Sequence, residues 1–340
     1  MRNANLGLAG LLALVAMGQL SLAPAFSAPL PENAVLTNGI AGKVVKFESR
    51  NPKNFEDIVA KVQAPAVMLD ALLFVPTGPA PKGAIIIVPG SGGVMESNLL
   101  HASALTSTGL AVLIVDPFTA RGVADTIDDQ SKISFAASSY DVLAAAKYLG
   151  EQGLEPMRIG AMGYSRGGIA VLMAASAQLA PIVLGEGKAL GAVLGAWPWC
   201  GFQFHDARTK PTAVRFDLAD RDNWVSPIQC QAWAAAMRAD NPKVSVRLFE
   251  NADHGFGYNV PMREIPTALT AYNAPILYLD DAGRYLDWYS GAALTGKSDI
   301  DLLQSAAPWV GRGVRAGTKP GQTDAFIADM VDFFGKTLAP

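Results

Sequence analysis

Two stretches of this chain, Ala84-Ile-Ile-Ile-Val88 and Leu110-Ala-Val-Leu-Ile-Val115, are apolar at every position. A strand with one wet face alternates apolar and polar residues, so an unbroken β-branched run predicts a strand covered on both faces, as in parallel sheets. Between them, Glu96 to Gly109 has helical periodicity and a glycine stop. Upstream, Lys43 to Glu48 and Val67 to Val75 read as two strands followed by a turn at Pro76, Gly78 and Pro79. Downstream the pattern predicts a helix over about Ser134 to Glu151 and strands at Arg158 to Met162, Leu190 to Ala196, Thr212 to Leu218 and Val244 to Phe249. Helices fill the gaps, one of them near Pro227 to Ala239. Two strands followed by repeated strand–helix units predict an α/β fold: a mostly parallel central sheet with helices on both faces and an antiparallel N-terminal edge.

The periodicity lapses after about Gly257. Residues 258–322 hold scattered Gly, Pro and aromatics with no clean strand, and read as a partly helical insertion with helices at Asp280 to Ser290 and Lys297 to Trp309. Asp280 and Asp281 read as a solvated helix end. An amphipathic helix resumes from Asp324 to Leu338. The N-terminus differs again: a weakly basic Met1-Arg2-Asn3, an apolar run from Leu6 to Leu22 and small residues at Ala23-Pro24-Ala25 predict a secretory signal peptide over 1–25, cut between 25 and 28. That run is too short and wrongly flanked for a stable membrane span. Residues 29–340 then form a single domain of an exported protein, periplasmic or secreted.

Composition narrows the function classes. Half of the 340 residues are hydrophobic and 17% are charged, so a large core is available. The net charge of −3, with no Lys/Arg cluster, excludes nucleic acid as an expected partner and favours a small molecule. Export to an oxidising compartment makes Cys200 and Cys230 a disulfide candidate, with two buried free thiols as the alternative. Neither cysteine has metal-site neighbours, and no CxxC or HExxH spacing occurs, so no metal or cofactor is expected.

The chemistry concentrates at Gly163-Tyr-Ser-Arg-Gly167, a G-x-S-x-G pentapeptide between a strand-like run and the helical Gly168 to Ser176. Glycines there permit the sharp strand-to-helix turn that exposes a serine, and the helix N-terminus aims free N–H groups at it. A serine needs a base, and the chain has three histidines. His254 follows a predicted strand directly, at the sheet edge where such folds deliver functional residues, whereas His101 opens a helix and His205 sits in a polar loop. Among the aspartates after the strand ending at Leu218, Asp222 is the candidate orienting acid; Asp220 reads as a turn former and Asp217 lies within the strand. Ser165, Asp222 and His254 follow the Ser, Asp, His order of α/β-hydrolases. Val88-Pro-Gly-Ser-Gly-Gly93 offers an oxyanion loop, with the N–H of Ser91 pairing with that of Arg166.

These residues resemble the dienelactone hydrolase-like branch of the α/β-hydrolases. The resemblance rests on IIIVPGSGG at 85–93, VDPFTARG at 115–122, GYSRGG at 163–168, AWPWC at 196–200, ADRDNWVSP at 219–227 and NADHGF at 251–256. It implies an α/β-hydrolase fold, a Ser165, Asp222, His254 triad and cofactor-free hydrolysis of esters or lactones. Family members proper use a cysteine nucleophile, and Ser165 in its place points to a carboxylesterase. Pro89 stands where a histidine usually precedes the oxyanion glycine. Arg121 and Arg166 are candidates to bind a substrate carboxylate, Arg166 equally a structural ion-pair partner; Trp224 is a further candidate substrate contact, and residues 258–322 are placed to roof the pocket. A peptidase or acyltransferase with the same triad, and a non-catalytic exported binding protein, are the alternatives.

Overall fold

Ile85 and Ile87 pack into one core and Ala84, Ile86 and Val88 into another, because successive side chains of a strand point to opposite faces. The computed structural model describes residues 30–338. The signal-peptide expectation concerns residues 1–28 and lies outside them. The strands are β1 Gly42–Arg50, β2 Ala66–Phe74, β3 Ala84–Val88, β4 Ala111–Asp116, β5 Ile159–Tyr164, β6 Ala192–Ala196, β7 Phe202–Phe204, β8 Ala213–Ala219 and β9 Val244–Phe249. Five more follow: β10 Arg263–Thr270, β11 Leu277–Leu279, β12 Tyr285–Leu286, β13 Ala293–Leu294 and β14 Gly311–Ala316. The helices are α1 Phe55–Val59, α2 Glu96–Thr106, α3 Phe135–Glu151, α4 Arg166–Ala174, α5 Ala180–Leu184, α6 Pro227–Arg238, α7 Asp299–Ser305 and α8 Gln322–Leu338.

The main sheet has eight strands in the order β1-β2-β4-β3-β5-β6-β8-β9. β1 and β2 are antiparallel to their neighbours and the rest run parallel. Helices α3, α4 and α6 pack on one face, and α2 and α8 on the other. Every residue of β3, β4, β5 and β6 is buried, as the unbroken apolar runs at 84–88 and 110–115 predict for β3 and β4. Each buried branched side chain contributes about 1.5–3 kcal/mol. Among the described residues, no helix is long and apolar enough to cross a membrane.

The segment after His254 departs from expectation. Asp280 to Ser290 is not a helix: Asp280 Oδ1 accepts from the N–H groups of Ala282 and Arg284, and Gly283 sits at φ +77°, so β11 turns back onto β12. Aspartate and glycine at these two turn positions outweigh the helical spacing. Strands β10 and β14 form an antiparallel ribbon, with a register break between Ile265 and Leu269. Most of their residues are exposed or half-buried on both faces, so no period-2 apolar signal marks them in the sequence. The expected helix at Lys297 to Trp309 forms as α7 followed by a short 3-10 turn at Ala307–Trp309.

Cys200 and Cys230 are joined by a disulfide that ties the exit of β6 to α6 across a separation of 30 residues. Both are fully buried. Replacing Cys230 with serine is expected to cost about 2–5 kcal/mol, read as a lowered denaturation midpoint. An unchanged midpoint would show that the bond adds no net stability to the fold.

Candidate active site

Ser165 stands between β5 and α4 at φ +52°, ψ −111°, a conformation that costs a non-glycine residue about 1–3 kcal/mol. The surroundings hold it there. Its N–H donates to Ala196 O of β6 at 3.0 Å, and its carbonyl accepts from Gly168 N. The turn is closed so tightly that a Cβ on Gly163 would lie 2.0 Å from Gly167 O, and one on Gly167 would lie 2.4 Å from Pro89 O. These neighbours are backbone and cannot swing away. A Gly163→Ala change is therefore expected to destabilise the protein by about 3 kcal/mol or more; an alanine variant melting with the wild type would refute that packing.

His254 and Asp222 are brought together directly. His254 Nδ1 lies 2.8 Å from Asp222 Oδ2, both side chains being almost fully buried. Asp222 Oδ1 accepts from the N–H groups of Trp224 at 2.8 Å and Val225 at 3.0 Å. With Oδ1 bonded to two N–H groups, Asp222 Oδ2 accepts a hydrogen bond from His254 Nδ1–H, which keeps its proton and leaves Nε2 with a lone pair as the basic nitrogen. Asp220 shapes the adjoining loop by accepting from Ala252 N at 2.9 Å.

Ser165 lines a cavity of about 350 Å³ together with Ser91, Arg166 and Trp224. The Trp224 ring packs on the His254 ring, centroids 4.7 Å apart, and so connects the cavity to the Asp222–His254 pair. As the first residue of α4, Arg166 has a backbone N–H without an intrahelical acceptor. The Ser91 loop is fixed by Thr126 N donating to Ser91 O at 2.9 Å, and by Gln130 Nε2 donating to Ser91 Oγ at 3.0 Å.

Two arginine expectations are corrected. Arg121 does not reach this cavity: its guanidinium forms a bidentate pair with the buried Asp141 at 2.8 Å and also donates to Asn51 and Pro117 O. Burial of Asp141 raises its carboxyl pKa, and Arg121 opposes that rise. The arginine compensates a buried charge and is not available to a substrate. Arg166 lines the cavity, yet its guanidinium donates to Gln130 Oε1 at 2.8 Å, Gln130 O and Ile133 O, and lies 4.1 Å from the Phe135 ring centroid. Burial lowers its pKa to about 10. His101 is structural as well. Its Nδ1 bonds the Tyr164 hydroxyl at 2.6 Å, its Nε2 bonds Gly257 O, and burial lowers its pKa to about 4.

The segment 258–322 braces both loops of the pair, which sequence reasoning missed. Trp224 Nε1 donates to Leu269 O at 2.8 Å, and Thr270 Oγ1 donates to Trp224 O at 2.8 Å. Gly317 N donates to His254 O at 2.8 Å. Asp253, beside His254, is held by ion pairs to Arg315 and Lys319, whose charges keep its carboxyl below the usual range against the opposing effect of burial. The charged Asp253 inside the NADHGF motif was the one available signal. Leu269, Leu303, Ala307 and Val310 of this segment line the cavity.

A parallel-centred sheet, a strained serine between β5 and α4, and an Asp–His pair at the ends of later strands define an α/β-hydrolase. The Dienelactone hydrolase family model matches residues 69–274, more than half of the chain, and the protein belongs to that family. Among solved structures, it is similar to a dienelactone hydrolase-like promiscuous phosphotriesterase from metagenomic libraries. The two are 14% identical, with 86% of this chain and 98% of that one covered and a TM-score of 0.52. Esterase 2 of Thermogutta terrifontis is 16% identical over 56% of this chain and 81% of its own, with a TM-score of 0.44. A Pyrococcus furiosus esterase is 16% identical over 63% and 85%, also with a TM-score of 0.44. At these identities the first structure supports the fold alone. No match was found among curated protein sequences.

Proposed function

We propose that this hydrolase is an exported serine esterase that cleaves carboxylic esters or lactones through an acyl-enzyme. The observation that carries the reading is the 2.8 Å His254–Asp222 hydrogen bond, joined through Trp224 to the cavity that Ser165 lines. In this reading His254 Nε2 takes the Ser165 proton as Oγ attacks the ester carbonyl carbon. The carbonyl oxygen becomes an oxyanion facing the N–H groups of Ser91 and Arg166. His254 then passes its proton to the departing alcohol, leaving an ester on Ser165. Water activated by the same histidine releases the acid and restores the serine.

A cavity of about 350 Å³ lined by Leu269 and Leu303 suits a small ester better than an extended peptide. The leader sequence and the Cys200–Cys230 bond support export. With p-nitrophenyl acetate, rapid mixing is expected to show a burst of about one p-nitrophenol per enzyme, followed by steady turnover. Absence of any p-nitrophenol release above the uncatalysed rate would refute the reading.

A further inference from the structure

We propose that the cavity selects esters of uncharged, planar aromatic carboxylic acids; the proposal rests on the ester-hydrolase reading above and specifies its acyl group. One wall is a fixed aromatic surface. Phe135 and Trp199 have ring centroids 4.7 Å apart, and Phe202 backs both, at 5.3 Å and 4.8 Å, in edge-on contacts. Phe135 is 3% exposed and carries Arg166 on its ring, so the surface left for a flat acyl group is Trp199, whose orientation Phe135 and Phe202 hold without a ligand. Trp224 supplies a second aromatic surface and is pinned by its bonds to Leu269 and Thr270. A flexible alkyl chain entering the same space loses rotational freedom that a ring does not have. The volume, about 350 Å³, is near the lower end of the roughly 300–1,000 Å³ usual for ligand pockets, which disfavours long acyl chains.

The charges around the cavity disfavour an anionic acyl group. Arg166 is the one cationic side chain lining it among the described residues, and its guanidinium is engaged by Gln130, Ile133 and the face of Phe135. Its unpartnered Nε is sealed from solvent. No open fork remains to receive a carboxylate in bidentate fashion. Asp129, the other charged lining residue, is kept ionised by the Ser131 hydroxyl and N–H, which lower its carboxyl pKa and leave a negative charge on the lining. A second carboxylate entering would be desolvated beside Asp129 with no free guanidinium fork to pair with.

The test compares kcat/KM for p-nitrophenyl esters that share one leaving group: acetate, octanoate, benzoate and 4-carboxybenzoate. Benzoate is expected to exceed octanoate and 4-carboxybenzoate by about tenfold or more each. In Trp199→Leu, with folding checked by its melting curve, the benzoate-to-acetate ratio should fall about tenfold. A wild-type preference for octanoate, equal use of 4-carboxybenzoate, or an unchanged ratio in a folded Trp199→Leu protein would overturn the proposal while the esterase reading stands. If no ester, acetate included, is turned over, both fall together.

Discussion

Replacing Ser165 with alanine is expected to lower kcat on p-nitrophenyl acetate by about 10⁶-fold, to the small residual rate that binding and oxyanion contacts alone can sustain. Ser91 and Ser131 line the same cavity, but neither sits in the turn between β5 and α4. Ser165 alone occupies the strained turn at φ +52°, held by Ala196 O on one side and by glycines too crowded to carry a Cβ on the other. Alanine adopts the same backbone with the same strain and loses only the hydroxyl, so the melting temperature should stay close to that of the wild type. The pairing of a lost rate with a kept fold is what separates a nucleophile from a structural serine.

A graded loss is expected at the other two positions. His254→Ala should cost about as much as Ser165→Ala, because without a base the hydroxyl keeps its proton, and the double variant should be no worse than either single one. Asp222→Asn should cost less, about 10⁴-fold. In the proposed mechanism Asp222, 2.8 Å from His254 Nδ1, orients the ring and balances the charge it acquires without taking a proton itself. An asparagine presenting its NH₂ to Nδ1 would favour the tautomer with the proton on Nε2, where a base is needed. Equal losses at Asp222 and His254 would contradict this division of roles, and kcat measured on the purified variants decides it.

What the sequence revealed was local, and what it concealed was non-local. The elbow is encoded in five consecutive residues, Asp220 to Val225 follow directly on β8, and Asp253 to Gly255 come just after β9, separated from it by Glu250 to Ala252. Arg121 misled because its pairing with Asp141 spans the start of α3, and nothing in VDPFTARG shows where a guanidinium will point. The ribbon of β10 and β14 escaped detection because both of its faces are largely wet, which removes the alternation that marks a strand. Phe135 and Trp199 raised no signal either. An aromatic residue at a helix start or loop reads as core, and only the closed fold shows that these two face a cavity.

The most direct test of the central claim, that Ser165 is the activated nucleophile, is labelling of the intact protein with a fluorophosphonate, followed by peptide mass spectrometry. One adduct per chain on the peptide carrying Ser165, lost in Ser165→Ala and strongly slowed in His254→Ala, is the predicted result. An unlabelled wild-type protein, or an adduct on a serine elsewhere that survives Ser165→Ala, would contradict it.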